Sequence, residues 1–140
     1  MDISYFVLFG SIAVVGILVF IAILLTSSKR YTFNKEAYQS DFLAIENGLS
    51  RDNPATFNMS VVEGDKLLDK AMLEMGIPGK TMGERLKHAG KERFTKFDAV
   101  WRAHKLRNQI AHESRFSVEY MDAKRALAIY RQALKDLGAI

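Results

Sequence analysis

The sequence predicts an all-α protein, in which a single N-terminal transmembrane helix is followed by a small helical bundle. Three observations predict this class. No charged residue occurs from Ile3 to Ser28. After that segment, apolar residues recur three and four positions apart, between residues typical of helix starts and glycines typical of helix ends. Finally, no segment alternates apolar and polar residues for long enough to indicate a β-strand.

Composition excludes several other classes. The chain has 140 residues, all 20 of its Lys and Arg lie beyond the apolar segment, and Asp2 is the only acid before it. The part after the apolar segment therefore carries 20 − 15 = +5 of formal charge, within a net charge of +4 for the chain, which excludes an acidic disordered tail. The absence of cysteine excludes a disulfide-bonded mini-domain and a thiolate zinc site.

The apolar segment is interpreted as a membrane anchor. A helix needs about 20 apolar residues to cross about 30 Å of hydrocarbon, and the run from residue 3 to residue 28 is longer than that. A cleavable signal peptide is the alternative, but it would have a charged front, a shorter apolar stretch and small residues before the cut. We therefore expect residues 1–29 to form a transmembrane anchor, with the lipid bilayer as partner through residues 3–28.

The charges beside this segment predict its orientation. Lys29 and Arg30 follow it directly, whereas the N-terminal side offers only Asp2. Lys and Arg near the end of a span favour the cytoplasmic side. The sequence therefore predicts a single-pass protein of the cell membrane, with its N-terminus outside and residues 30–140 forming a cytoplasmic domain.

Five helices are predicted in residues 30–140. Asn34, Asn53-Pro54, Thr81, Thr95 and Ser117 are the predicted starting positions, and Thr81 with Glu84 matches a capping box. Glycines end four of the five helices. The predicted ranges are 34–48, 53–76, 81–90, 95–113 and 117–138.

The fourth of these helices has more than one occupied face. Ala99, Ala103, Leu106 and Ile110 form a small apolar stripe. On another face lies a ridge of aromatic and then polar residues: Phe97, Trp101, His104, Asn108 and His112. One interpretation covers the aromatic residues with the short third helix and leaves the imidazoles at the surface. The other makes the ridge the border of a cleft or of a symmetric dimer interface, where aromatic residues are enriched.

The same helix contains Arg107-Asn-Gln-Ile-Ala-His112. This string resembles the R-x4–6-H motif of HEPN domains, which are small helical bundles, and Asn108 matches the polar residue that commonly follows the arginine. The resemblance covers roughly Thr81 to Ile140. It implies a HEPN-like bundle, a homodimer in which the two motifs line one cleft, and either RNA binding or metal-independent cleavage of RNA. No cofactor is expected.

The resemblance also implies roles for three residues. His112 would be the acid/base group, Arg107 the cation that stabilises the phosphorane, and Asn108 a residue that holds the ring or a phosphate. An imidazole that titrates near neutral pH and a guanidinium that binds phosphate oxygens suit this chemistry. The predicted enzyme, if the domain is one, is a metal-independent endoribonuclease.

A non-enzymatic function is the alternative: a scaffolding module that binds a cytoplasmic protein at the inner membrane face. On a straight helix Arg107 and His112 point about 140° apart. Arg107 would then bond to a carboxylate or to the turn after the helix, and His112 would cap carbonyls at the helix end. The basic stretch from Lys80 to Arg107 fits either binding of phosphates or ordinary solvation.

Overall fold

A computed structural model describes residues 3–26 and 31–140, with side chains for residues 8–22 and 31–140. The regular structure within these residues is helical. There are six α-helices and one 3₁₀ turn at Lys91–Arg93, and the α-helices are α1 (Ile3–Thr26), α2 (Lys35–Gly48), α3 (Ala55–Glu74), α4 (Met82–Ala89), α5 (Phe97–His112) and α6 (Tyr120–Leu137). No strand is found in the described residues, so the all-α part of the prediction is confirmed.

The chain forms two compact units, divided between Tyr31 and Thr32. The first contains α1. Among the described residues, no helix combines the length and the apolar character that crossing a membrane requires. This finding contradicts the predicted transmembrane anchor at residues 1–29.

The predicted location is contradicted for the same reason. A single-pass protein with its N-terminus outside and a cytoplasmic domain requires a spanning helix, and none is found in the described part of the chain. Lys29 and Arg30, which were the basis for the predicted orientation, lie outside the described residues.

The second unit is a bundle of α2–α6 built around α3. Helix α3 packs against α6, α2, α5 and α4, and α5 also packs against α4 and α6. Fully buried side chains from all five of these helices fill the core: Phe42, Val61, Leu68, Met72, Leu86, Val100, Tyr130 and Leu134. Because it contacts all four other helices, α3 brings any polar residue on its surface within reach of its neighbours.

Local capping was predicted correctly for two helices. The side chain of Asn34 accepts a hydrogen bond from the backbone N–H of Ala37, at 3.1 Å. Thr81 accepts one from the N–H of Glu84, at 3.2 Å. Both bonds join residues three positions apart at a helix start, so the local sequence is sufficient to specify them.

Two predicted caps are wrong. Thr95 binds the carboxylate of Asp136 through both its N–H and its hydroxyl, at 2.7 and 2.8 Å, and α5 begins at Phe97 without a side-chain cap. Ser117 does not cap α6 either, since that helix begins at Tyr120. At Thr95, a contact with a distant part of the chain takes precedence over the local cap.

Gly64 allows α3 and α6 to approach closely. A Cβ atom at this position would lie 2.6 Å from Cδ2 of Tyr130, closer than real Cβ contacts occur. The ring of Tyr130 therefore lies against the backbone of α3, next to Asp65. This contact delivers the phenol of α6 to the site described below.

Candidate functional site

A cleft of about 810 Å³ opens between α3, α4 and α5. We call it the α3–α5 cleft. It is lined by acidic, basic, imidazole and aromatic groups, among them Asp65, Asp69, Lys87, Trp101, His104, Lys105, Arg107, Asn108 and His112. All three residues of the predicted site, Arg107, Asn108 and His112, are in this lining.

At the bottom of the cleft, Asp65 of α3 is a buried carboxylate with 4% of its surface exposed. Two groups bind its Oδ1: Nδ1 of His104 at 3.0 Å and the Tyr130 hydroxyl at 3.1 Å. The Nε atom of Arg107 lies 3.6 Å from its Oδ2. A charge removed from water in this way is tolerated only when it is paired and hydrogen-bonded, and these three donors from two helices meet that need.

Tyr130 is held as a donor to this carboxylate. Burial raises the pKa of its phenol far above the ordinary value, and the charge of Asp65 raises it further. The hydroxyl therefore keeps its proton throughout the physiological range and cannot become a second buried anion. It supports Asp65 from the core side, opposite the cleft.

A chain of polar contacts links Asp65 to the predicted motif. His104 is buried, and its Nε2 lies 3.2 Å from Nδ2 of Asn108. The amide oxygen of Asn108 accepts a bond from Nη1 of Arg107, at 3.2 Å. With the contact between Arg107 and Asp65, these four side chains form a closed ring.

The ring explains how Arg107 reaches the same cleft as His112. Helix α5 runs without interruption to His112, so the two side chains leave it in different directions. Arg107 nevertheless turns towards Asn108 and Asp65 and stays 31% exposed. His112 is exposed at the end of α5, and its imidazole makes no hydrogen bond or ion pair with other described residues.

The ridge on α5 has features of both interpretations. Trp101 is half-buried beside Gly83 of α4, where a Cβ atom would be 3.6 Å from the indole, so the short helix does cover part of the ridge. His104, however, is buried rather than at the surface. The ridge also borders a cleft, as the second interpretation proposed.

A second ion pair closes the α4 side of the cleft. Arg85 of α4 donates from Nε and Nη2 to the two carboxylate oxygens of Asp69, both at 2.7 Å. Its Nη1 donates to the carbonyl of Gly79. The hydrogen bond to Asp69 raises the pKa of Arg85 above its ordinary value. Asp69 is therefore neutralised within the fold.

Positive groups remain at the mouth of the cleft. Lys87 and Lys105 are exposed there and have no ion-pair partner among the described residues, whereas Lys66 pairs with Glu63 at 2.8 Å. In the described part of the chain, no group of three or more His, Asp or Glu side chains is arranged to hold a metal ion. Glu84 also lines the cleft, and its carboxylate accepts a hydrogen bond from the backbone N–H of Lys80, at 2.6 Å, without an ion-pair partner among the described residues. An anion entering the cleft would therefore meet two lysines and the guanidinium of Arg107, against this one carboxylate.

Sequence reasoning missed Asp65 and did not connect Tyr130 with the site. A signal for Asp65 was present. The apolar face of α3 carries Phe57, Val61, Leu68 and Met72, and Asp65 lies four positions after Val61 on that face. A lone carboxylate on an otherwise apolar helix face requires a buried partner.

Comparison with known proteins found no match: no family model fits the sequence, and neither the curated proteins nor the solved structures include a significant relative. The geometry of the α3–α5 cleft therefore carries the functional argument.

Proposed function

We propose that the α3–α5 cleft binds RNA and cleaves it without a metal ion, with Arg107 as the phosphate-binding cation and His112 as the acid/base group. The observation that carries the proposal is that Arg107, Asn108 and His112 all line one open cleft, in which the unpaired Lys87 and Lys105 outnumber the one unpaired carboxylate, Glu84. The resemblance of this string to the HEPN motif supports the same assignment.

Phosphate recognition rests on the free donors of Arg107. Its guanidinium has five N–H groups, and the contacts within the fold use Nε and one hydrogen of Nη1. The remaining donors face a cleft that also holds Lys87 and Lys105. Two adjacent guanidinium donors match two oxygens of one phosphate, which favours a phosphodiester over a single point charge.

Trp101 suggests that the RNA is single-stranded. Its indole is half-buried in the lining of the cleft, 6.0 Å from the His104 ring between centroids. An unstacked base can lie on such an aromatic surface, whereas the bases of a duplex are stacked on one another. Single-stranded RNA therefore fits the cleft better than a duplex does.

The chemistry follows from the residue types. The imidazole of His112 accepts the proton of a ribose 2′-OH, the 2′-oxygen attacks the adjacent phosphorus, and the bond to the 5′-oxygen breaks. Arg107 stabilises the charge that develops on the phosphorane. The leaving 5′-oxygen takes a proton from a second imidazole in its protonated form, so that the products end in a 2′,3′-cyclic phosphate and a 5′-hydroxyl.

This reaction needs a base and an acid, and one chain presents a single exposed imidazole at the cleft, because His104 is buried against Asp65. We therefore propose that the active species is a homodimer in which a second copy supplies the second His112. The HEPN resemblance implies the same arrangement.

The test is cleavage of a single-stranded RNA oligonucleotide by the purified full chain with EDTA present. We expect Arg107→Ala and His112→Ala to lower the rate by at least about 100-fold while leaving circular dichroism unchanged. Two matched controls lie outside the cleft: Arg102→Ala on the same helix and His88→Ala on α4 should both keep the wild-type rate.

Three results would contradict the proposal. Loss of activity in EDTA alone would show that a metal ion is required. Wild-type activity in His112→Ala would remove the proposed base. Unfolding of both Arg107→Ala and His112→Ala would show that the motif has a structural role.

One observation favours a second candidate, a binding module without catalysis. The contact of Arg107 with Asp65 is the carboxylate contact that a structural arginine would make. On this candidate the wild-type protein retains its RNA or protein ligand in a filter-binding or pull-down assay but yields no cyclic phosphate.

A further inference from the structure

We infer that Asp65 and His104 are positioning residues: they orient the amide of Asn108 and through it hold the guanidinium of Arg107 towards the ligand. The inference concerns a hydrogen-bond chain that exists without ligand. Its consequence for RNA rests on the proposed function above, and the two parts are tested separately.

The chain starts at the buried carboxylate. Asp65 already accepts a bond from Tyr130, whose raised pKa keeps its hydroxyl protonated. Nδ1 of His104 lies 3.0 Å from Oδ1 and 3.3 Å from Oδ2 of the same carboxylate. An ionised carboxylate only accepts hydrogen bonds, so Nδ1 of His104 must carry a proton.

The contact between His104 and Asn108 shows whether Nε2 of His104 carries a proton. Nε2 of His104 faces Nδ2 of Asn108, which can only donate, while the amide oxygen faces Nη1 of Arg107, which also can only donate. The opposite orientation of the amide would set Nδ2 against the guanidinium, donor against donor. Nε2 is therefore an acceptor, and His104 is the neutral Nδ1–H tautomer.

The ring closes at Arg107. Its Nη1 is bound to Asn108 and its Nε lies near Asp65, whereas Nη2 has no partner among the described residues. A long side chain with free rotamers would lose conformational entropy on binding a ligand, and the ring removes part of that loss beforehand. Asp65 and His104 thus act on the ligand through Asn108 and Arg107 without touching it.

Two isosteric variants separate positioning from a structural role. His104→Asn keeps a donor near the place of Nδ1 and loses the acceptor at Nε2. His104→Gln keeps an acceptor near the place of Nε2 and loses the donor to Asp65. His104→Asn should therefore keep the hydrogen bond to the buried Asp65 and leave Asn108 unbound. His104→Gln should keep the hydrogen bond with Asn108 and leave Asp65 without this donor.

The first experiment needs no ligand. In ¹⁵N spectra of the full chain at neutral pH, we expect His104 to show a protonated Nδ1 and an unprotonated Nε2. The side-chain N–H signals of Arg107 should show restricted rotation in the wild type and in His104→Gln, and free rotation in His104→Asn. The Nε2–H tautomer, or equal mobility of Arg107 in all three proteins, would overturn the inference.

The second experiment uses the same single-stranded RNA oligonucleotide. We expect His104→Asn to bind it about 10-fold more weakly and His104→Gln to stay within about 3-fold of the wild type, on the scale of one hydrogen bond. A merely structural histidine would instead give the weaker binding in His104→Gln, the variant that leaves Asp65 short of a donor. That order would overturn the positioning role.

The failures are distinguishable. If the wild type binds no RNA, the proposed function fails, and the tautomer and the mobility of Arg107 still decide the positioning inference. If RNA binds but the two variants weaken it equally, the proposed function stands and the positioning role is refuted.

Discussion

Asp65 and Asp69 lie one turn apart on α3, and each pairs with an arginine, yet the two arginines are used differently. All three guanidinium nitrogens of Arg85 donate hydrogen bonds within the fold, two to the carboxylate of Asp69 and one to the carbonyl of Gly79. Arg107 approaches Asp65 only at 3.6 Å and leaves Nη2 open towards the cleft.

The two aspartates differ in which side chains donate hydrogen bonds to their carboxylates. Asp69 depends on Arg85 for both of its oxygens, and 29% of its side chain remains exposed. Asp65 is buried but is served mainly by His104 and Tyr130, so its arginine is not required in full. An arginine beside a carboxylate is therefore available to a ligand only when other donors satisfy that carboxylate.

The largest expected effect is a loss of stability when the Arg85–Asp69 pair is broken. Arg85→Ala should lower the free energy of unfolding by about 3 kcal/mol, the low end for breaking a buried pair, because Asp69 is partly exposed. Arg107→Ala should lower it by less than Arg85→Ala does, because Asp65 keeps its hydrogen bonds from His104 and Tyr130. Urea denaturation followed by circular dichroism measures both, and equal losses would remove the distinction between the two pairs.

Tyr130→Phe tests the support of Asp65. The variant should lose about 2 kcal/mol of stability at neutral pH, because the hydroxyl binds a charged group. The folded state also raises the pKa of Tyr130, so this stabilisation is fully present below the ordinary tyrosine pKa of about 10 and is lost as the pH rises above it.

Urea titrations at increasing alkaline pH should therefore show a steeper loss of stability in the wild type than in Tyr130→Phe. The matched control is Tyr31→Phe, which changes an exposed ring and should have no effect at neutral pH. Parallel pH curves for wild type and Tyr130→Phe would show that the phenol does not contribute in this way.

Arg107→Lys tests whether RNA binding requires the planar guanidinium of Arg107 or only its positive charge. A lysine keeps the charge but cannot bind Asn108 and fork onto a phosphate at once, so we expect about 10-fold weaker binding of single-stranded RNA. Arg85→Lys should leave RNA binding unchanged and reduce stability instead. Fluorescence anisotropy with a labelled oligonucleotide measures the affinity of each variant. Equal affinities of Arg107→Lys and Arg85→Lys for the RNA would contradict the comparison.

The smallest expected effect belongs to the lysines at the mouth of the cleft. Lys105→Ala should weaken RNA binding evenly across sequences and reduce the slope of log K against log salt concentration by about 1. Its stability should stay within about 0.5 kcal/mol of the wild type. Lys124→Ala, an exposed lysine of α6 outside the cleft, is the control, and an equal change in slope there would show that the cleft is not the binding surface.

Features of the fold that depend on neighbouring residues could be predicted from the sequence. The caps at Asn34 and Thr81 involve residues three positions apart, and the helical spacing of apolar residues defined the bundle. The caps expected at Thr95 and Ser117 could not be judged this way. Asp136, which binds Thr95, lies 41 positions away and is brought there only by folding.

The candidate site divides in the same manner. Arg107, Asn108 and His112 could be selected from the sequence, because their spacing and chemistry are visible in one string. Asp65 and Tyr130 come from two other helices, and their contacts with α5 and with each other span 39 and 65 positions. The α3–α5 cleft therefore depends on α3 as the shared neighbour of the other helices.

By itself, the sequence determined the helices of the bundle and the residue types on each face of α5, since these follow from chain geometry and local hydrogen bonds. Only the tertiary structure decided that all guanidinium nitrogens of Arg85 are hydrogen-bonded within the fold, whereas Nη2 of Arg107 has no partner among the described residues. Helix geometry alone directs Arg107 and His112 apart, and a buried carboxylate on α3, with the amide of Asn108, draws the guanidinium round to the cleft. The balance between desolvating Asp65 and supplying it with donors exists only once α3, α5 and α6 are packed together.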